Sequence, residues 1–147
     1  MALPTSIDLQ IVTPNRLIVQ EQVDEVQVPG SEGYFGVLPG HTPLLASLAV
    51  GELWYRKGQE KTYLAIAGGF AEVLPDRVTI LAQLAERAED IDVERAESAR
   101  RRAEERLTQK VDVDFERARA ALLRSLTRLQ VASRIGLRTG ASRRVRP

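Results

Sequence analysis

The chain has 147 residues, 44% hydrophobic and 28% charged, with a formal net charge of +1, which is the make-up of one or two ordinary globular domains. It has no cysteine and one histidine, His41, which excludes a disulfide framework, a cysteine-based zinc site and a His-rich metal centre, so we expect no metal and no required cofactor. No apolar run of about 18 residues is present to cross a membrane, and the start MALPTSIDLQ lacks the basic and apolar segments of a secretory signal.

Residues 6–82 are dense in β signals. SIDLQIVT and VDEVQVP alternate apolar with polar, the period of a half-buried strand. GSEGYFGVLPGHTPLL, residues 30–45, carries four glycines and two prolines and reads as a structured loop between short strands. On it Glu32 and His41 are either solvated side chains or part of a contact surface, since rigidly held loops often carry binding. LWYRKGQEKTYLAIA predicts a hairpin around Lys-Gly-Gln-Glu. GFAEVLPDRVTILAQ predicts two further strands broken at Pro75-Asp76. No helix-period segment appears before residue 86, so the N-terminal part is expected to be an all-β sandwich or barrel, with a boundary near residues 86–90.

The second part opens on DIDVERA, residues 90–96, which is nearly copied as DVDFERA at residues 112–118, 22 residues later. Each copy reads as a helix start. Asp92 and Asp114 are placed as N-caps, with Glu94 and Glu116 in the first turn, where the helix dipole favours an acid. Two starts so close imply two helices and a short turn, an antiparallel hairpin. Helix one is expected over residues 92–108, with an apolar stripe of Val93, Ala96, Ala99 or Ala103, and Leu107. Helix two is expected over residues 114–134, with Phe115, Ala118, Leu122, Leu126, Leu129 and Ala132. A seam so rich in alanine buries little area, so the hairpin is expected to be only marginally stable alone.

Charge divides the chain. Residues 1–88 are net −4 and residues 89–147 net +5, with no acid after Glu116 and nine arginines from Arg117 to Arg146. With the turn centred near residues 110–111, Arg124 and Arg128 flank the level of Arg95, and Arg102 lies two turns along the face of Arg95. Four guanidinium groups around one patch repel unless an anion joins them, and guanidinium binds phosphate bidentately. Glu86 and Asp92 stand near the entry to this patch. The simpler reading pairs surface arginines with Glu94, Glu97, Glu104 and Glu105 along helix one. No phosphate-binding glycine loop of the Walker type is present.

GSEGYFGVLPGHTPLL, the run AIAGGFAEVLPDRVTILAQLAERAEDID, and IDVERA followed by the DVDFERA helix together resemble the ε subunits of bacterial F-type ATP synthases, called δ in mitochondria. The resemblance covers residues 7–134. It implies an α+β chain: a ten-stranded β-sandwich over residues 1–88 and a two-helix antiparallel hairpin over residues 89–135. The basic tail over residues 136–147 runs beyond the usual end of the family, and we read it as flexible. The resemblance implies a non-catalytic place on the central stalk of a proton-translocating synthase, beside the γ subunit and on the ring of c subunits. Ser31, Glu32 and His41 match the ring-facing contact. In several such subunits Ile-Asp-x-x-Arg-Ala marks a site where ATP stabilises the folded hairpin. Here it stands as Ile91, Asp92, Arg95 and Ala96, joined by similarity with Glu86, Arg102, Arg124 and Arg128. ATP is thus the expected regulatory ligand. Without it, the resemblance implies that the hairpin extends into the catalytic head and blocks hydrolysis against acidic segments of the α and β subunits. The expected location is the cytoplasmic side of the bacterial plasma (inner) membrane, peripheral through the complex. A rotor subunit that does not sense ATP is the alternative. A nucleic-acid-binding module is disfavoured, because the β part lacks stacking aromatics, and an enzyme is disfavoured for want of a nucleophile–base pair.

Overall fold

The computed structural model of the chain describes residues 3–109 and 114–138, the last three by their backbone alone. The turn expected at residues 110–111, the first two residues of DVDFERA and the tail beyond residue 138 lie outside the described residues. The chain divides into two units, Met1–Arg87 and Ala88–Pro147.

The described residues of the first unit form eight strands: β1 (Ile7–Val12), β2 (Leu17–Val23), β3 (Glu25–Gly30), β4 (Gly33–Val37), β5 (Leu44–Ser47), β6 (Val50–Lys57), β7 (Glu60–Leu74) and β8 (Arg77–Arg87). They follow one another as β2-β1-β8-β7-β6-β3-β4, with β5 added on β7. The β1–β8 ladder is parallel and the others are antiparallel. Period-two patterning builds the core: Ile7, Leu9 and Ile11 of β1 are fully buried, with half-buried residues between them. Val26 and Val28, Leu53 and Tyr55, Leu64 and Ile66, and Val78 and Ile80 fill the rest. Each full burial of an aliphatic side chain of this size is worth about 1.5–3 kcal/mol.

The sheet folds over on itself. β2 contacts β6, although β1, β8 and β7 separate them in the sheet order. The Tyr55 hydroxyl on β6 bonds with Thr62 and with Glu21 of β2, and burial raises its pKa. Arg87 Nη2 donates to the Ile18 carbonyl at 2.9 Å.

Two expectations are refined. Ten strands were expected and eight continuous ones are found, because β7 and β8 are long enough to run through a corner. The first half of β7 pairs with β6 and its last part with β5. Between these parts, Gly68 and Gly69 adopt φ of 74° and 116°, a region that residues with a Cβ avoid. A Cβ on Gly69 would lie 2.0 Å from the Leu81 carbonyl oxygen. Second, the segment 30–45 is not wholly loop, since it contains β4, paired with β3 from Val26–Val37 to Gly30–Gly33.

The second unit begins with a 3-10 turn, Ala88–Asp90, followed by α1 (Val93–Thr108) and α2 (Phe115–Arg138). α2 runs past the expected end at residue 134 to Arg138. It packs on α1 and lies against the 3-10 turn. Ala96, Ala103, Ala118 and Ser125 are buried, whereas Val93, Phe115 and Leu126, expected on the stripes, are exposed at 49%, 50% and 45%. Small residues seven apart line the seam, with Thr127 and Val131 also buried on α2, and one step of about 100° carries Leu126 away from Ser125. The Ser125 hydroxyl meets its need by donating to the Leu122 carbonyl at 2.8 Å.

Gly69→Ala should destabilise the first unit by about 3 kcal/mol, through the clash and the strained φ, measured by urea unfolding. Tyr55 gives a pH test. Its folded-state pKa lies above the ordinary 10.0, so the neutral phenol stabilises the fold below that pH, and the contribution is lost as pH rises through the folded value. Alkaline unfolding followed by circular dichroism should show a stability loss setting in above pH 10.0 that Tyr55→Phe reduces.

Candidate functional site

The hairpin gathers most of the chain's chemistry-bearing residues. Asp92 caps α1, its Oδ1 accepting from the Arg95 backbone N–H at 3.0 Å. Asp114 does the same for Arg117 at 3.1 Å. The two copies of the doubled stretch are therefore two capped helix starts built alike. Ile91 is buried, and its N–H donates to the Ala88 carbonyl at 3.4 Å. Ala96 lies on the seam.

Arg95 and Arg102 each stand one residue before a seam residue, Ala96 and Ala103, and Arg124 stands one before Ser125. Helical geometry therefore sets all three at the same angle to the seam. Arg128, three residues after Ser125, falls on the same side and is engaged in an interaction of its own. The carboxylates of α1 are distributed unevenly. Arg100 takes Glu97 at 2.8 Å and Glu104 at 2.9 Å, and these bonds, Glu97 first, raise its pKa. Among the described residues, Arg95, Arg102 and Arg124 have no carboxylate within 4.0 Å. The simple pairing of surface arginines with α1 acids thus holds for Arg100 and not for these three. Glu86 belongs to the first unit, on β8 beside Ala65 of β7.

The three residues expected at the ring contact lie on two stretches of the chain. Ser31 and Glu32 make the exposed β3–β4 turn. The Ser31 N–H donates to the Ser47 carbonyl at 2.9 Å and the two serine hydroxyls are hydrogen-bonded. His41 lies beyond the far end of β4, where its backbone N–H donates to the Leu38 carbonyl at 3.2 Å and its Nδ1 meets the Thr42 carbonyl at 2.6 Å.

A feature the sequence reading missed crosses the outer sheet face. Ser47, Phe70, Leu81, Val12 and Leu17 are successive cross-strand neighbours on β5, β7, β8, β1 and β2. Phe70, Leu81 and Leu17 are exposed at 57%, 54% and 51%, an apolar row of the kind that marks interaction sites. Its signal was present in the strands, but only their register aligns it.

Sandwich and hairpin together match two family models. ATP synthase, Delta/Epsilon chain, beta-sandwich domain matches residues 6–88. ATP synthase, Delta/Epsilon chain, long alpha-helix domain matches residues 89–133. The chain belongs to this ATP synthase delta/epsilon family. An ATP synthase epsilon chain of Nitratidesulfovibrio vulgaris is 54% identical over 127 residues, 86% of this chain and 95% of the relative. One of Syntrophobacter fumaroxidans is 57% identical over 129 residues, 87% of this chain and 96% of the relative. A chain in a cryo-EM structure of the Euglena gracilis mitochondrial ATP synthase, comprising OSCP, F1 and c-ring, superposes with a TM-score of 0.69. It is 26% identical, over 93% of this chain and 83% of that one.

Asp92→Ala and Asp114→Ala should each lower hairpin stability by about 1 kcal/mol, the worth of an N-cap, read from thermal melts followed at the helix band of circular dichroism.

Proposed function

We propose that the chain is the non-catalytic ε-type subunit of the central stalk of a proton-translocating F-type ATP synthase, and that its hairpin is an ATP-biased inhibitor of hydrolysis. Identity above 50% to epsilon chains across most of the sequence supports the stalk role. The exposed row from Phe70 to Leu17 is the surface offered to γ, and the β3–β4 turn at Ser31 and Glu32 is offered to the c ring. No described helix is long and apolar enough to cross a membrane. The subunit is part of a membrane-associated complex, and we assign it to the cytoplasmic face of a bacterial plasma membrane.

The observation that carries the sensing reading is the arrangement of Arg95, Arg102 and Arg124, set alike about a small-residue seam without carboxylate partners among the described residues. Like charges so placed favour a polyanion. ATP, held with Arg128 and Asp92 in supporting places, would stabilise the folded hairpin in proportion to its preference for that form. At a hundred times its Kd a ligand adds about 2.7 kcal/mol, enough to bias a weakly packed pair of helices. Released, the arginine-rich α2 suits acidic segments of the α and β subunits.

Calorimetric titration of the subunit with ATP tests this. Saturable binding should weaken at least about tenfold in Arg95→Ala, the loss of one bidentate phosphate contact, while assembly persists. Binding unchanged in the variant would remove Arg95 from the site. No binding to the wild type would leave a structural rotor subunit whose arginines serve docking.

A further inference from the structure

The doubled stretch continues into both helices. The same interval of 22 residues that relates Asp92 to Asp114 relates Arg95 to Arg117, Ala96 to Ala118, Arg102 to Arg124, Ala103 to Ser125 and Arg106 to Arg128. The four seam residues in that series are exposed by only 1–2%. Each helix therefore presents an equivalent set of arginines at an equivalent angle to the seam. Two like helices packed antiparallel are related by a local two-fold axis across the hairpin, and that axis keeps both sets on one side.

Counting outward from the helix ends gives the levels on which the proposal rests. Arg106 stands two residues before the end of α1 at Thr108, and Arg117 two residues after the start of α2 at Phe115. Arg95 and Arg128 each stand thirteen residues from those same points. The hairpin thus carries two arginine rungs, Arg95–Arg128 and Arg106–Arg117, which the two-fold axis exchanges. At 1.5 Å per residue they lie roughly 16 Å apart along the helices. The proposed nucleotide set uses Arg95, Arg102, Arg124 and Arg128 and leaves the Arg106–Arg117 rung unassigned.

That rung is not explained by local stability. Arg106, in the last turn of α1, suits the negative end of the helix dipole, but Arg117 lies in the first turn of α2, where a cation is disfavoured. Both are exposed, and among the described residues neither has a carboxylate within 4.0 Å. Two guanidinium groups on opposite helices, level with each other, match a phosphate dianion that each contacts bidentately.

We propose that Arg106 and Arg117 form a second anion subsite at the turn end of the hairpin, which takes inorganic phosphate and ties α1 to α2. The subsite rests on the repeat and the helix packing and not on the ATP reading. Because phosphate bridges the two helices, it favours the folded hairpin. By linkage it tightens any other ligand that needs the same form.

The experiment is calorimetric titration of the full chain with sodium phosphate at low ionic strength, against sodium chloride as control. It compares the wild type, Arg95→Ala and the pair Arg106→Gln with Arg117→Gln. We expect saturable binding to the wild type and to Arg95→Ala, weakened about tenfold or more in the glutamine pair, as loss of bidentate contacts requires. Where the glutamine pair alters helicity, the pair Arg106→Lys with Arg117→Lys decides. It keeps the charges without the forks and should bind with intermediate affinity. Absence of saturable phosphate binding to the wild type overturns the proposal, as does wild-type affinity in the pair that decides. Equal loss in Arg95→Ala also overturns it, since phosphate would then occupy the nucleotide set. ATP binding lost in Arg95→Ala with phosphate binding kept separates the two sites.

Discussion

The first unit depends on one backbone corner. β7 pairs with β5, β6 and β8, so it carries the links between both halves of the sheet. It can do so only by changing direction at Gly68 and Gly69, with the backbone of Gly69 pressed against Leu81 and Ala82. That approach leaves no room for a side chain, and the positive φ values would strain one. The same corner sets the register in which Phe70 and Leu81 stand side by side. A conformational constraint on two glycines thus fixes both the folding-over of the sheet and the apolar row on its outer face.

The second unit is held differently. Its buried residues on α1 and α2 are Ala96, Ala103, Ala118 and Ser125 together with Thr127 and Val131, mostly small side chains that remove less apolar area from water than the sandwich core does. Larger apolar side chains that would strengthen such a seam, Phe115, Leu123 and Leu126, are about half exposed. The sandwich buries a continuous aliphatic core, and the hairpin does not.

The strands were legible because alternation and turn residues speak directly about local backbone, as at the Lys57–Glu60 turn and the Pro75-Asp76 break. The helix starts were legible because a capping aspartate has a local mechanism, and Asp92 and Asp114 both perform it. What stayed hidden depends on tertiary choice. β4 is glycine-rich, and only its pairing with β3 makes it a strand. Periodicity put Val93, Phe115 and Leu126 on the same stripes as the alanines, and only the packing separates these exposed residues from the buried Ala96, Ala103 and Ala118. Three consecutive arginines, Arg100 to Arg102, have nearly equivalent spacings to the acids of α1, and only the structure selects Arg100. For the candidate site, helical spacing alone puts residues seven apart on one face, whereas the position of His41 beyond the far end of β4 from Ser31 and Glu32 shows only once β4 is seen as a strand.

Electrostatics joins these threads. Arg100 holds two carboxylates of α1 in local ion pairs, and α2 after Glu116 has no acid to offer. Among the described residues, Arg95, Arg102 and Arg124 beside the seam have no carboxylate within 4.0 Å. In both copies of the repeat the capping aspartate is followed three residues later by an arginine, whose backbone it accepts from and whose guanidinium sits in the first helical turn. The dipole opposes a cation there, and repulsion between level arginines on the two helices adds to the opposition. A counter-anion near these caps would lower that opposition, which is the electrostatic ground on which the proposed anion sites rest.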